Sequence, residues 1–132
     1  MHQRVLLTES HLTISIDLFS EILFVNWTGE QTEDTVKDGC QKILKYVVTN
    51  RVSKVFNDNT HVTGNWSGAA EWGAKIWFPA MYKAGVKYFA WILSPELYSQ
   101  LSTQATLNYN ISGIIILNFE EKAPAENWLK IM

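Results

Sequence analysis

The segment Ser53-Lys54-Val55-Phe56-Asn57-Asp58-Asn59-Thr60-His61-Val62-Thr63-Gly64-Asn65-Trp66-Ser67-Gly68, with its continuation to Leu93, decides the fold of this chain. Lys54-Val55-Phe56 reads as a strand running into Asn57-Asp58-Asn59. Residues 60–66 read as a polar loop. Trp72, Ile76, Trp77, Phe78 and Pro79 then fall on a helix that Gly85 ends. Ser67 is the expected N-cap of that helix, and Pro79 is expected to kink it or end its regular part. Val86, Tyr88, Phe89, Ala90, Trp91, Ile92 and Leu93 follow as an almost unbroken apolar run. A strand apolar on both faces is one covered on both sides, as in a parallel sheet.

The same alternation extends in both directions. Upstream, Thr32-Glu33-Asp34 offers a cap with acids in the first turn. Val36, Cys40, Ile43, Leu44 and Val47 then recur at the spacing of an amphipathic helix lying on a sheet. Cys40 sits within that stripe as a small buried hydrophobe. Asn50 is a natural stop. Before this helix, residues 5–8, 12–17 and 22–28 read as strands with short connections suited to antiparallel pairing, and Gly29 breaks the last. Downstream, Ser94-Pro95-Glu96 opens a helix with Ser94 as cap, and Leu97, Tyr98, Leu101 and Ala105 form its expected inner face. Residues 113–117 give the last core strand, and Pro124 starts a final short helix through Trp128, Leu129 and Ile131. The expected fold class is α/β: a mixed, largely parallel sheet with an antiparallel N-terminal edge and packed helices. Residues 1–132 are expected to form one domain.

Composition bounds the function. The 132 residues carry a formal charge of −2, and the lysines are scattered, so no basic stripe offers a nucleic-acid footprint. One cysteine excludes an internal disulfide and suits a reducing, cytoplasmic setting. No apolar run reaches the ~20 residues of a membrane span. The sequon matches at Asn26, Asn65 and Asn110 are short patterns with nothing beside them to indicate secretion.

Taken together, several pieces resemble the STAS/SEC14-like family of small bacterial α/β proteins, often called SpoIIAA-like. They are Val25-Asn26-Trp27-Thr28-Gly29, Trp72 to Pro79 with its Trp-Phe-Pro step, Lys83-Ala84-Gly85, Ser94-Pro95-Glu96, Asn118-Phe119, and Ala125-Glu126-Asn127-Trp128-Leu129. Their order and spacing cover nearly the whole chain. The resemblance implies a compact mixed-sheet domain without enzymatic activity. Its better-known relatives, the anti-sigma factor antagonists, bind a partner kinase and are switched by phosphorylation at an Asp-Ser-Ser/Thr-Gly motif. The matching position here reads Asn65-Trp66-Ser67-Gly68, with Trp66 where the phosphorylated Ser would stand. An indole has no hydroxyl to modify, so the switch is not expected to carry over.

Asp58, Asn59, Thr60, His61, Asn65, Trp66 and Ser67 form the expected ligand- or partner-binding site. They follow a core strand, and open α/β sheets place ligands at the carboxyl ends of strands. Trp66 is expected to present its ring as a contact anchor. The expected occupant is a protein partner, a second copy of the chain included, or an apolar, lipid-like small molecule. The competing reading is a hydrolase-type enzyme using Asp58, His61 and Ser67, although no nucleophile-elbow motif is present. His2, His11 and His61 show no paired-ligand spacing, so no metal is expected. One glycine, Gly64, before a helix start is a thin phosphate loop, and no cofactor is expected.

Overall fold

The computed structural model describes residues 2–132. Its elements are β1 (Gln3–Thr8), β2 (Leu12–Asp17), β3 (Ile22–Glu30), α1 (Glu33–Asn50) and β4 (Lys54–Thr63). A 3-10 turn (Ser67–Ala69), α2 (Ala70–Trp72), a π-helical turn (Gly73–Trp77) and α3 (Phe78–Lys83) then run head to tail. β5 (Tyr88–Ile92), α4 (Leu97–Leu107), β6 (Ile115–Phe119) and α5 (Lys122–Ile131) complete the chain. The six strands form one sheet in the order β1-β2-β3-β4-β5-β6. The β1–β2 and β2–β3 pairs are antiparallel, and the β3–β4, β4–β5 and β5–β6 pairs are parallel. This is the expected α/β class.

One face of the sheet packs against α1 and the α2–α3 segment. Ile14, Leu23, Val25, Val55 and Phe89 meet Cys40, Ile43, Val47, Phe78 and Met81 in the larger core. Leu44 packs at its margin, only half-buried, so the inward stripe of α1 is narrower than its spacing suggests. On the other face, Ala125 and Leu129 of α5 cover Ile22, Phe56, Ala90 and Ile92. Coverage from both sides explains why β5 is apolar on both faces.

The helix ends follow local chemistry. Thr32 caps α1 in a capping box with Thr35. Gly85 closes α3 at φ 113°, where its N–H reaches the Tyr82 carbonyl and that of Val86 reaches Met81. That pair of bonds is a Schellman closure, and a side chain at residue 85 would be strained. Pro79 does not end the helical segment, which runs on as α3 to Lys83, but regular α-helix is interrupted just before it. It sits in the first turn of α3, just past the π-helical turn, where Phe78 N–H bonds the Gly73 carbonyl five residues back. The wider turn absorbs the local disruption that a proline brings.

Other expectations are corrected. β3 continues through Gly29 to Glu30, and β4 continues through the stretch read as a loop, because Thr28, Gly29 and Glu30 pair with His61, Val62 and Thr63. Ser67 does not cap the aromatic helix; its hydroxyl and its N–H both donate to Asn65 Oδ1. β6 is an edge strand with Ile115 and Leu117 exposed, not a core strand. The α4 cap is Glu96, whose carboxylate accepts from Tyr98 and Ser99 N–H, while Ser94 Oγ donates to the Val62 carbonyl. Finally, α4 is turned over relative to its expected face. It buries Ser99, Ser102, Thr103 and Thr106 and exposes Leu97, Tyr98 and Leu101.

Candidate functional site

The Asp58–Ser67 stretch lies at the carboxyl end of β4, and the fold divides it three ways. Asn26 pairs with Asp58 and Thr28 with His61, so β4 carries one extra residue there. Such a bulge re-aims side chains. Asp58 goes to the α5 side of the sheet, where Oδ1 accepts from Thr60 N–H at 2.9 Å and from the Thr60 hydroxyl, and Oδ2 lies 3.3 Å from Lys122 Nζ. Asn59 and Trp66 turn into the helix side of the sheet. His61, Asn65 and Ser67 face solvent.

The structure therefore does not assemble Asp58, His61 and Ser67 into a triad. The Asp58 carboxylate is engaged by Thr60 and Lys122, the Ser67 hydroxyl donates to Asn65 Oδ1 at 2.7 Å, and neither group bonds His61. A triad needs each member within hydrogen-bond reach of the next. Asp58 and His61 pair with Asn26 and Thr28 and so share a face of the sheet, but the Asp58 carboxylate is turned to Thr60 and Lys122 instead.

Trp66 is buried, 5% exposed, rather than presented as a contact anchor. Its indole N–H donates to Ser99 Oγ at 3.3 Å and its backbone N–H to Ser102 Oγ at 3.0 Å. Gly64 N–H donates to Glu96 Oε1 at 2.8 Å, and Ser94 Oγ to the Val62 carbonyl at 2.6 Å. These four bonds staple the end of β4 and the segment after it to α4 and the residues that lead into it. The inward serines of α4 are the acceptors that the segment needs, which is the physical reason the helix is turned over. Burying hydroxyls is tolerable once they are bonded. Ser102 and Thr106 also donate back to the carbonyls of Tyr98 and Ser102.

The turned helix has a second consequence. Leu97, Tyr98 and Leu101 are 61%, 60% and 55% exposed. At i, i+1 and i+4 they are neighbours on one helix surface. They form an apolar stripe beside the solvent-facing His61, Asn65 and Ser67. Glu96, between the two, has its carboxyl held below its ordinary value by the Tyr98 N–H first, and also by the Gly64 and Ser99 N–H groups.

Between the sheet and the aromatic helix lies a buried cavity of about 40 Å³, open to the centre of a water-sized sphere. Trp27, Trp66, Trp77 and Trp91 line it with Phe78, Phe89, Val36, Val62 and Cys40, and its polar rim is Gln31, Asn57, Asn59 and Thr106. Burial pushes the Cys40 thiol far above the usual thiol range, so it offers no thiolate. A different cluster gathers Glu9, His11 and Asp38, whose ligand atoms lie within 4.8 Å of one another. Lys42 Nζ sits 2.8 Å from Glu9 and 2.9 Å from Asp38 and supplies the positive charge there. Sequence spacing could not reveal this group, because the β1–β2 turn and α1 bring it together. Among the described residues, no helix is long and apolar enough to cross a membrane.

No protein-family model and no curated protein matches the chain. Among solved structures, it is similar to the crystal structure of an uncharacterised protein of the DUF3478 family with a SpoIIAA-like fold, from Shewanella loihica PV-4. The two are 19% identical, the match covers 94% of this chain and 98% of that one, and the TM-score is 0.52. The chain has a SpoIIAA-like fold, as the resemblance in its sequence implied.

Proposed function

We propose that this chain is a non-catalytic binding domain that engages a protein partner through the outer face of α4 and the solvent-facing side chains of the 61–67 segment. The observation that carries the reading is the turned helix: α4 buries Ser99, Ser102, Thr103 and Thr106 and gives Leu97, Tyr98 and Leu101 to water. Fully covering one Leu side chain is worth about 1.5–3 kcal/mol, and this chain leaves that gain unused in its own fold. His61, Asn65 and Ser67 supply a polar rim to an apolar centre, the anatomy of a protein interface.

Two features argue against a phospho-switch. Trp66 lacks a hydroxyl and is buried. The Glu33 carboxylate lies against Gly68, within 2.6 Å of where a Cβ would stand, and would repel a phosphate at the neighbouring Ser67. A lipid-like ligand of the SEC14 type suits the chain less well: the apolar cavity under the aromatic helix is about 40 Å³, well below the ~300–1,000 Å³ of pockets that enclose a larger molecule, and the larger cavity of about 330 Å³ beside α5 carries Asp58, Lys122 and Glu126 in its wall. A second copy of the chain is one form the partner can take. The same reading treats residues 1–132 as one unit working in the cytoplasm.

Crosslinking mass spectrometry on protein purified from its own host, with native mass spectrometry of the same preparation, tests this reading. Crosslinks to a partner, or to a second copy, should concentrate on residues 61–67 and 96–101. A purely monomeric protein, or crosslinks confined to the α5 side of the sheet, would overturn it.

A further inference from the structure

On its own side of the sheet, α5 packs on β4, β5 and β6, while Val5 of the β1 edge is 61% exposed. Beside α5 lies an open cleft of about 330 Å³. Strand register sets its floor in two rows. Thr13, Asn26 and Asp58 are successive partners on β2, β3 and β4, and so are Ser15, Phe24 and Phe56. All six line the cleft. Neighbouring strands stand ~4.8 Å apart, so the first row is a line of short polar side chains at that spacing. The second row is an aromatic platform. The Phe24 and Phe56 rings lie 4.9 Å apart at 43°, and Phe24 is only half-buried. Lys122 and Glu126, one turn apart on α5, form the wall.

Asp58 is the unusual member of this set. It is a carboxylate only 5% exposed, on a strand position where the previous residue of that face is Phe56. Burying a carboxylate is costly to a fold even when it is paired. Here it is held in one orientation, with Oδ1 accepting from the Thr60 N–H and hydroxyl and Oδ2 3.3 Å from Lys122 Nζ. That Lys122 side chain is 58% exposed. Ser15 is also buried, and its hydroxyl donates to Gln3 Oε1 at 2.9 Å. The cleft therefore has fixed polar groups in its floor and a charged pair at its wall.

We propose that this cleft binds a neutral pyranose sugar. Each property follows from the lining. The Glu126 carboxylate lies 2.8 Å from Lys130 Nζ, so both acids of the wall already have a lysine and no net charge selects an ion. A charged carboxylate and ammonium still make strong hydrogen bonds to hydroxyl groups, and Asn26 and Thr13 can both donate and accept. The aromatic platform suits the apolar C–H face of a sugar ring, as a mainly apolar floor with a few placed polar groups suits small ligands in general. The volume lies at the lower end of the ~300–1,000 Å³ found for such sites. The inference uses no residue of the α4 surface and stands apart from the reading of that surface.

Proton–nitrogen correlation spectra of the full chain, titrated separately with glucose, galactose and mannose, test it. At least one sugar should shift the amides of Thr13, Asn26 and Asp58 saturably and leave those of residues 97–107 unmoved. Asn26 is exposed, so Asn26→Ala should keep the melting temperature within a few degrees of the parent and weaken binding about three- to tenfold. Asp58→Asn keeps an acceptor for Thr60 and loses the charge, and should weaken binding about tenfold or more. If Asp58→Asn fails to fold, Asn26→Ala still decides the matter. No saturable shift with any of the three sugars would overturn the proposal. So would unchanged affinity in Asn26→Ala, or saturable shifts with methylammonium or inorganic phosphate and none with a sugar, which would mean that the cleft selects charge.

Discussion

Replacing Trp66 by Ala should unfold the protein more readily rather than leave a stable, binding-deficient domain. The ring is 5% exposed, stacks on Trp91 at 6.3 Å with an interplanar angle of 20°, and donates its indole N–H to Ser99 Oγ. Truncating a buried Trp to Ala costs about 3–5 kcal/mol. Loss of the indole donor contributes about 1 kcal/mol of that through the neutral bond to Ser99. In a chain of this size the total corresponds to a fall in melting temperature of roughly 10–20 °C. Trp66→Phe keeps most of the apolar bulk and loses the hydrogen bond, so it should cost about 1–2 kcal/mol. Urea unfolding followed by far-ultraviolet circular dichroism measures both without relying on the fluorescence of the residue being changed. A cost below about 0.5 kcal/mol for Trp66→Ala, the range of ordinary surface positions, would show that the ring faces solvent and that the stapling of this segment to α4 is wrong.

Three further outcomes follow from the same geometry. Cys40 should resist thiol reagents in the native protein and react at the rate of unfolding, because its thiol is buried and its ionisation suppressed; fast labelling by a disulfide reagent under native conditions would refute this. Gly39→Ala should destabilise the fold by about 1–3 kcal/mol in chemical denaturation, since a Cβ would collide with the Trp27 ring, and a neutral result would contradict that packing. Glu96 has a folded-state pKa depressed below its ordinary 4.5, so its capping contribution is complete above that value and is lost as pH falls through the lower folded value. The stability difference between the parent and Glu96→Gln should therefore be present at neutral pH and shrink on acidification below about 4.5; a difference that grows on acidification would refute the cap.

The parts legible in the sequence were those carried by periodicity and caps. The apolar run at β5, the stripe at Cys40, Ile43 and Val47, and the Thr32 cap each state a local preference that the tertiary structure keeps. The β4 end was misread because Thr60, His61 and Thr63 look like turn chemistry, whereas pairing with Thr28, Gly29 and Glu30 holds them extended. That strand also carries a bulge, which puts His61 on the face that Asp58 already occupies by ordinary strand alternation. The α4 face was misread because apolar spacing is ordinarily an inward stripe. Ser99, Ser102, Thr103 and Thr106 fall at i, i+3, i+4 and i+7, so a signal of a polar inner stripe was present. What decides between the two stripes is the set of donors on the 64–67 segment, which no helix periodicity can reveal.

The central claim is that the outer face of α4 exists to be covered by a protein partner. Its most direct test is calorimetric titration of the partner recovered from the host against the parent protein, Leu97→Ser and Leu101→Ser. Both leucines are more than half exposed, so the substitutions should leave the melting temperature within a few degrees of the parent. Loss of an interface anchor of about 1.4–2 kcal/mol should weaken binding at least tenfold. Unchanged affinity in both variants, or a collapse of stability showing that the leucines serve the fold, would contradict the account.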